Sequence, residues 1–312
     1  MIAGLALLMA APAIDQSPPR TIFSVPADHH LIEGIATDGK TIWVSSVLDR
    51  QVIGWRKGKL LVLPVPDQAG APFAIAYDAR RGWLWIATNC LNDPKTLNCG
   101  SPSLIAVDRK GRLQRQLKPE ADFHPGDVSV DGDRVFVSDT ANGAVYRCDR
   151  ACRSLDPLIR PTGRASAQGS AIYAAGRKLL LADYSRGIVS IDLATKAETL
   201  VMTPEGKRLR GIDGLIRVGD RFIGVANATT PGALVSFRVT AAGNLANVAP
   251  FPTGDAIVDP TQITVRGNEL LAIGDSQWAR YSPGGSGAAG QQPTPIVAIP
   301  IAPATTPADK TN

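Results

Sequence analysis

The chain has 312 residues, a formal net charge of +5 and 44% hydrophobic residues, enough apolar material for one large all-β domain. Its basic residues are scattered: Arg80-Arg81, Arg109-Lys110 and Lys207-Arg208-Leu209-Arg210 are the densest groups, and no aromatic platform interleaves with them, which excludes nucleic acid as the expected partner. Aromatic side chains make up only 5%, too few to suggest a carbohydrate-stacking groove, while 30 Gly and 24 Pro suit a fold with many tight turns.

Residues 1–13 form an apolar run too short to span a bilayer. Ala11-Pro12-Ala13 fits a small-x-small cleavage site, although no basic segment precedes the run. A signal peptide ending near Ala13 is expected, and with it a secreted or periplasmic protein without stable membrane insertion. Thr21 to Val25 then forms a short apolar strand ahead of the first repeat.

From there one pattern recurs six times. A short strand opens beside Gly, Pro or a polar residue, a polar turn follows, then a dense apolar strand, then a third strand. The second-strand cores are Ile42-Trp43-Val44-Ser45, Leu84-Trp85-Ile86-Ala87, Val135-Phe136-Val137-Ser138, Leu179-Leu180-Leu181-Ala182, Phe222-Ile223-Gly224-Val225 and Leu270-Leu271-Ala272-Ile273. They recur every roughly 40 to 50 residues, the period of a propeller blade. The expected fold is an all-β six-bladed β-propeller of four-stranded antiparallel blades, one domain over 20–301.

The blades run from Leu31 to Val65, Pro72 to Leu117, His124 to Leu158, Gln168 to Met202, Asp213 to Phe251, and from Asp259 onward. Asp38-Gly39, Asp131-Gly132 and Gly219-Asp220 supply hairpin turns. Ser282 to Thr294, rich in Gly, Ala, Gln and Pro, reads as a flexible loop. Ile296 to Ile301 is one more strand, placed to pair with Thr21 to Val25 and close the ring. Residues 302–312 read as a disordered tail.

The four cysteines fall in two local pairs. Loop-closing disulfides Cys90–Cys99 and Cys148–Cys152 suit an exported protein. A zinc site is the alternative, but neither pair has the two-residue spacing of zinc knuckles.

Candidate functional residues lie where each first strand opens, because a propeller turns these positions toward its axis. The informative openings are Glu33-Gly34-Ile35, His124-Pro125-Gly126-Asp127, Gln168-Gly169 and Asp213-Gly214-Leu215. Asp139, Asp183, Asn227 and Asp275 each end a second strand, and their recurrence reads as turn capping. Gln277-Trp278 lies near the site or packs between blades. There is no Gly-x-Ser-x-Gly elbow and no phosphate-cradling Gly-rich loop.

These openings resemble the regucalcin, gluconolactonase and paraoxonase-like family of six-bladed propellers. The similarity covers nearly all of the chain after residue 13. Gln168-Gly169-Ser170-Ala171-Ile172 through Leu181-Ala182-Asp183 is similar to the family's Asn-Gly-Leu-Ala opening and the strand that follows it. Leu31-Ile32-Glu33-Gly34-Ile35-Ala36 and Gly211-Ile212-Asp213-Gly214-Leu215 look like the first and fifth openings.

The resemblance implies a divalent cation in the channel, Ca2+ first, with Zn2+ or Mn2+ as alternatives. It implies Glu33 and Asp213 as ligands, Gln168 where the family has Asn, and Gly126 where several members have another Asn, with Asp127 beside it. Gln168 has a longer arm than Asn, and Gly126 offers no side chain. On a regular strand Asp127 would point away from its neighbour's direction.

The function this implies is metal-dependent hydrolysis of lactones or related esters. Asp213 is the first candidate base and His124 the second. The rivals are a non-enzymatic propeller binding a small molecule or a protein, and a calcium-binding protein without turnover. A monomer acting on a small molecule is expected.

Overall fold

The computed structural model describes residues 17–91, 99–119, 122–148, 150–160 and 166–301. The proposed signal segment 1–13 and the tail 302–312 lie outside the described residues. Six four-stranded antiparallel sheets surround one axis. The inner strands are Ile32–Thr37, Ala71–Asp78, Pro125–Asp131, Ala167–Tyr173, Ile212–Val218 and Ile263–Arg266. They touch one another in chain order, and the last returns to the first, which closes the ring.

Closure comes from both ends of the domain. In blade six the third strand is Thr294–Pro300, and the outermost is Arg20–Val25 from the start of the chain, paired from Arg20 with Ala298 to Val25 with Thr294. Locking the last sheet with the first strand leaves no seam between the termini. Among the described residues the helical content is two three-residue 3-10 turns, Gly254–Ala256 and Trp278–Arg280, and no helix is long and apolar enough to cross a membrane.

The second strands read as continuous apolar runs because both faces are covered. Ile42–Ser46 is buried at every position. An apolar cluster fills each gap between neighbouring blades: Trp43 and Ile75 join blades one and two, Trp85 and Val128 join two and three, and Phe136 and Leu179 join three and four. The hairpin glycines Gly39, Gly132 and Gly219 take φ of 84°, 62° and 62°, as their turns require. Both local disulfides, Cys90–Cys99 and Cys148–Cys152, are formed.

Near the axis the inner strands nearly touch. A Cβ on Gly34 would sit 2.4 Å from the Phe73 carbonyl oxygen, one on Gly169 2.4 Å from the Leu215 nitrogen, and one on Gly214 2.9 Å from the Thr261 carbonyl oxygen. The obstacle in each case is backbone of the next blade, which cannot rotate away. Gly169→Ala is therefore expected to cost about 1–3 kcal/mol of stability, measured by urea unfolding. Unchanged stability would mean that the blades can slide apart at the axis.

Candidate functional site

Five of the six inner strands open with an irregularity; that of blade six, Ile263–Arg266, pairs without a slip. The register slips between Ile32 and Ile35, Pro72 and Ile75, Pro125 and Asp127, Ala167 and Ser170, and Ile212 and Leu215. Such bulges add a residue and redirect side chains that strict alternation would send elsewhere. Here they bring Glu33, Phe73, Gly126, Gln168 and Asp213 together around a cavity of about 360 Å3 at one mouth of the channel. Asn89, Thr140, Tyr184, Asn227, Asp259 and Trp278 complete its walls.

The acidic side chains are held by defined partners. The Trp278 indole Nε1–H donates to Glu33 Oε2 at 2.5 Å. Asp259 Oδ2 accepts from Ser276 Oγ at 2.9 Å and from the Trp278 backbone N–H at 2.8 Å. Asn227 Nδ2 donates to Asp213 Oδ2 at 2.8 Å and to the Pro260 carbonyl at 3.1 Å. Both partners are acceptors, so the orientation of the Asn227 amide is determined. Its Oδ1 is buried and has no hydrogen-bond partner.

Burial drives the electrostatics. It raises the Glu33 carboxyl well above the usual range, and repulsion from Asp213, Asp259 and Asp127 adds to it against the Trp278 hydrogen bond. Burial, with repulsion from Asp259, raises Asp213 to about 6, opposed by the Asn227 bond. Asp127 is pushed up to about 8 by burial and by Asp213. Several carboxyls thus share a small volume in which not all can ionise unless a positive charge joins them.

Among the described residues, no three His, Cys, Asp or Glu side chains are gathered closely enough to hold a metal ion by themselves. An ion here needs amide oxygens beside the carboxylates, and the mouth contains them in Asn227, Gln168 and Asn89. Hard cations favour such mixed oxygen sets. The orphaned Asn227 Oδ1 beside Asp213 is the kind of atom an ion would satisfy, so the residues present fit a divalent cation.

Of the residues named from the sequence, Glu33, Gln168 and Asp213 meet at the mouth. Asp127 lies one layer deeper. The bulge beside Gly126 turns it into the channel, where it lines the wider chamber of about 630 Å3 below and accepts a hydrogen bond from Gln262. Blades three and six face each other in the ring, so this bond crosses the axis. His124 is not among the residues lining the mouth: its Nε2 lies 3.1 Å from Asp122 Oδ2 at the surface. Gly126 leaves its place to Thr140, whose Cγ2 lies 2.0 Å from where a Cβ would stand.

Two expectations need correction. Asn227 does not cap a turn as Asp139 does, whose Oδ1 accepts from the N–H groups of Ala141 and Asn142; it belongs to the site. The segment read as a flexible loop is braced: Arg280 donates to Ser286 Oγ at 2.5 Å and to the Ala289 carbonyl at 2.8 Å, and Gln277 Nε2 donates to the Gln292 carbonyl at 2.9 Å. Trp278 lies at the mouth, the first of its two expected places, whereas Asp259 and Tyr184 are mouth residues that the sequence reading does not name. Asp259 sits just before the inner strand of blade six, and its place in the repeat was the signal available.

The chain matches no protein-family model, and no curated protein sequence matches it. Solved structures do share its fold. Regucalcin from Agrobacterium tumefaciens, described as a calcium-binding protein, is 14% identical, with 90% of this chain and 95% of that one covered and a TM-score of 0.62. A luciferin-regenerating enzyme is 11% identical over 90% and 94%, with a TM-score of 0.59. A PQQ-bound aldose sugar dehydrogenase from Streptomyces coelicolor is 13% identical over 91% and 99%, with a TM-score of 0.58. At these identities the likeness concerns the propeller fold.

The raised carboxyls give the protein a pH dependence. A carboxyl protonated when folded but ionised when unfolded makes the folded state the stronger proton binder. Stability then falls as pH rises from the ordinary aspartate value, about 4, to about 8 for Asp127. In chelator-treated protein the melting temperature should be lower at pH 8 than at pH 5, and Asp127→Asn should reduce the difference. Melting curves that show the same drop in the variant would remove Asp127 from this account.

Proposed function

We propose that the protein binds a divalent cation, Ca2+ first, at the mouth of its channel and hydrolyses a small lactone or related ester there. The observation that carries this reading is the buried, unpartnered Asn227 Oδ1 beside carboxyls that repel one another. Glu33, Asp213, Asn227 and Gln168 are the residues proposed to hold the ion. When bound, it would polarise the ester carbonyl and offset the charge developing on its oxygen. Known propellers of this fold include enzymes and a calcium-binding protein, which supports the choice without deciding it.

The chain's own residues would do the rest. Asn227 fixes one oxygen of Asp213, which leaves the other to accept a proton from the attacking water. The water oxygen bonds to the carbonyl carbon, the ring or ester C–O bond breaks, and the proton held by Asp213 passes to the departing alkoxide. Trp278 keeps one oxygen of Glu33 engaged and holds that side chain in place. His124, paired with Asp122 outside the mouth, has no part in this scheme. Binding without turnover is the second reading, favoured by Gly126, where the opening of blade three offers no amide side chain.

Thermal melts with Ca2+, Zn2+ and Mn2+ test the ion. Saturation at 100 times the dissociation constant should add about 2.7 kcal/mol to stability, and Glu33→Gln or Asp213→Asn should abolish the shift. If no ion stabilises the wild type, the cation scheme falls. Given an ion, a lactone panel tests turnover, with Asp213→Asn expected to lose roughly 100-fold or more in rate. An ion-stabilised protein inert to every lactone would leave the binding reading in force.

A further inference from the structure

The two sides of the mouth differ in chemistry. Asp213, Asn227, Gln168, Tyr184 and Thr140 make the side formed by blades three to five. Opposite Asp213, blade two opens with Phe73 where blades one, four and five place Glu33, Gln168 and Asp213. Its ring lies 6.4 Å from that of Trp278, centroid to centroid, tilted by 33°. The one polar side-chain atom of Trp278 is engaged with Glu33, so what the indole offers the cavity is hydrocarbon.

This apolar wall is built to stay in place. Leu31 and Val47, both fully buried, back it together with Ala71, and Leu48, Leu91 and Tyr281 pack against them. Leu91 follows Cys90, which the disulfide to Cys99 holds. On the other flank the braced segment after Trp278 is tied through Gln291 Nε2 to the His29 carbonyl at 2.7 Å.

We propose that Phe73 and Trp278 form a subsite for a hydrocarbon arm, so that the preferred substrate is a lactone or ester carrying an alkyl or aryl substituent and not a polyhydroxylated one. The assignment of the carbonyl end rests on the hydrolase reading above. A hydroxyl turned toward Phe73 and Trp278 would lose its water partners without gaining new ones. A methylene there leaves water, which is worth about a fourfold gain in affinity for each one buried.

The experiment uses ketones, which hydrolysis cannot consume. Binding of a pentyl-substituted cyclopentanone and of a polyhydroxylated cyclopentanone to the full-length, calcium-treated protein is measured by calorimetry. The pentyl compound should bind at least about tenfold more tightly, consistent with two or more buried methylenes. Phe73→Ala should remove most of that preference, and Phe73→Leu, which keeps hydrocarbon, should retain most of it. An unchanged Ca2+ melting shift in both variants shows that the mouth is still folded. Equal or reversed preference, indifference to Phe73→Ala, or no binding of either ketone overturns the proposal. A retained ketone preference in a protein that hydrolyses no lactone would instead sink the hydrolase reading and leave the subsite standing.

Discussion

Six strands converge on one axis, and their backbones come so close that in four of them the residue following the one that lines the mouth, Gly34, Ala74, Gly169 and Gly214, is Gly or Ala. This crowding shapes the rest of the centre. It forces the blades into a fixed ring, and it makes the opening of each strand the place where a side chain can enter the channel. Asp127 and Gln262 are the exceptions at this place in the repeat. They fit because they sit on facing blades and reach across the axis to each other. Their contact divides the channel into an acidic mouth and a wider chamber below.

The mouth gathers charge that the fold alone does not neutralise. Glu33, Asp213 and Asp259 come from blades one, five and six, and each is fixed by neutral donors: Trp278, Asn227 and Ser276. Neutral donors favour the ionised forms without cancelling their repulsion. The surrounding β-structure, with apolar clusters filling the gaps between the blades, holds these carboxyls in place. The mutual repulsion of these carboxyls and the unpartnered Asn227 oxygen are what the proposed cation would relieve.

The asymmetry of the mouth has a separate origin. The propeller repeat would give six similar walls. Blade two breaks it with Phe73 and the disulfide loop after Asn89, and blade six breaks it with the braced segment between its second and third strands. These two departures from the repeat lie on the same side of the axis and meet at Leu91, Trp278 and Tyr281. What distinguishes this molecule from a bare scaffold is therefore concentrated where its repeat is least regular.

The six-fold pattern was legible in the sequence because it is set by short-range forces: apolar runs such as Leu179-Leu180-Leu181 must be covered on both faces, and the Asp-Gly pairs at 38–39 and 131–132 turn tightly between them. The two disulfides were legible for the same local reason, whereas the closing pair of Arg20–Val25 with Thr294–Pro300 joins the two ends of the domain and only the ring fixes it. Glu33, Gln168 and Asp213 could be found because they occupy equivalent places in the repeat. The depth of Asp127 could not be, since a bulge, which no residue pattern announces, decides where its side chain points. Nor could the roles of Asn227 and Asp259 be read along the chain, and for Trp278 the sequence left two places open. Asn227 resembles the turn caps of its sister blades, and only the juxtaposition of Asp213 and Pro260 gives its amide another task. Local sequence determined the blades; the ring alone decided which side chains, hundreds of residues apart, face one another across a few ångströms.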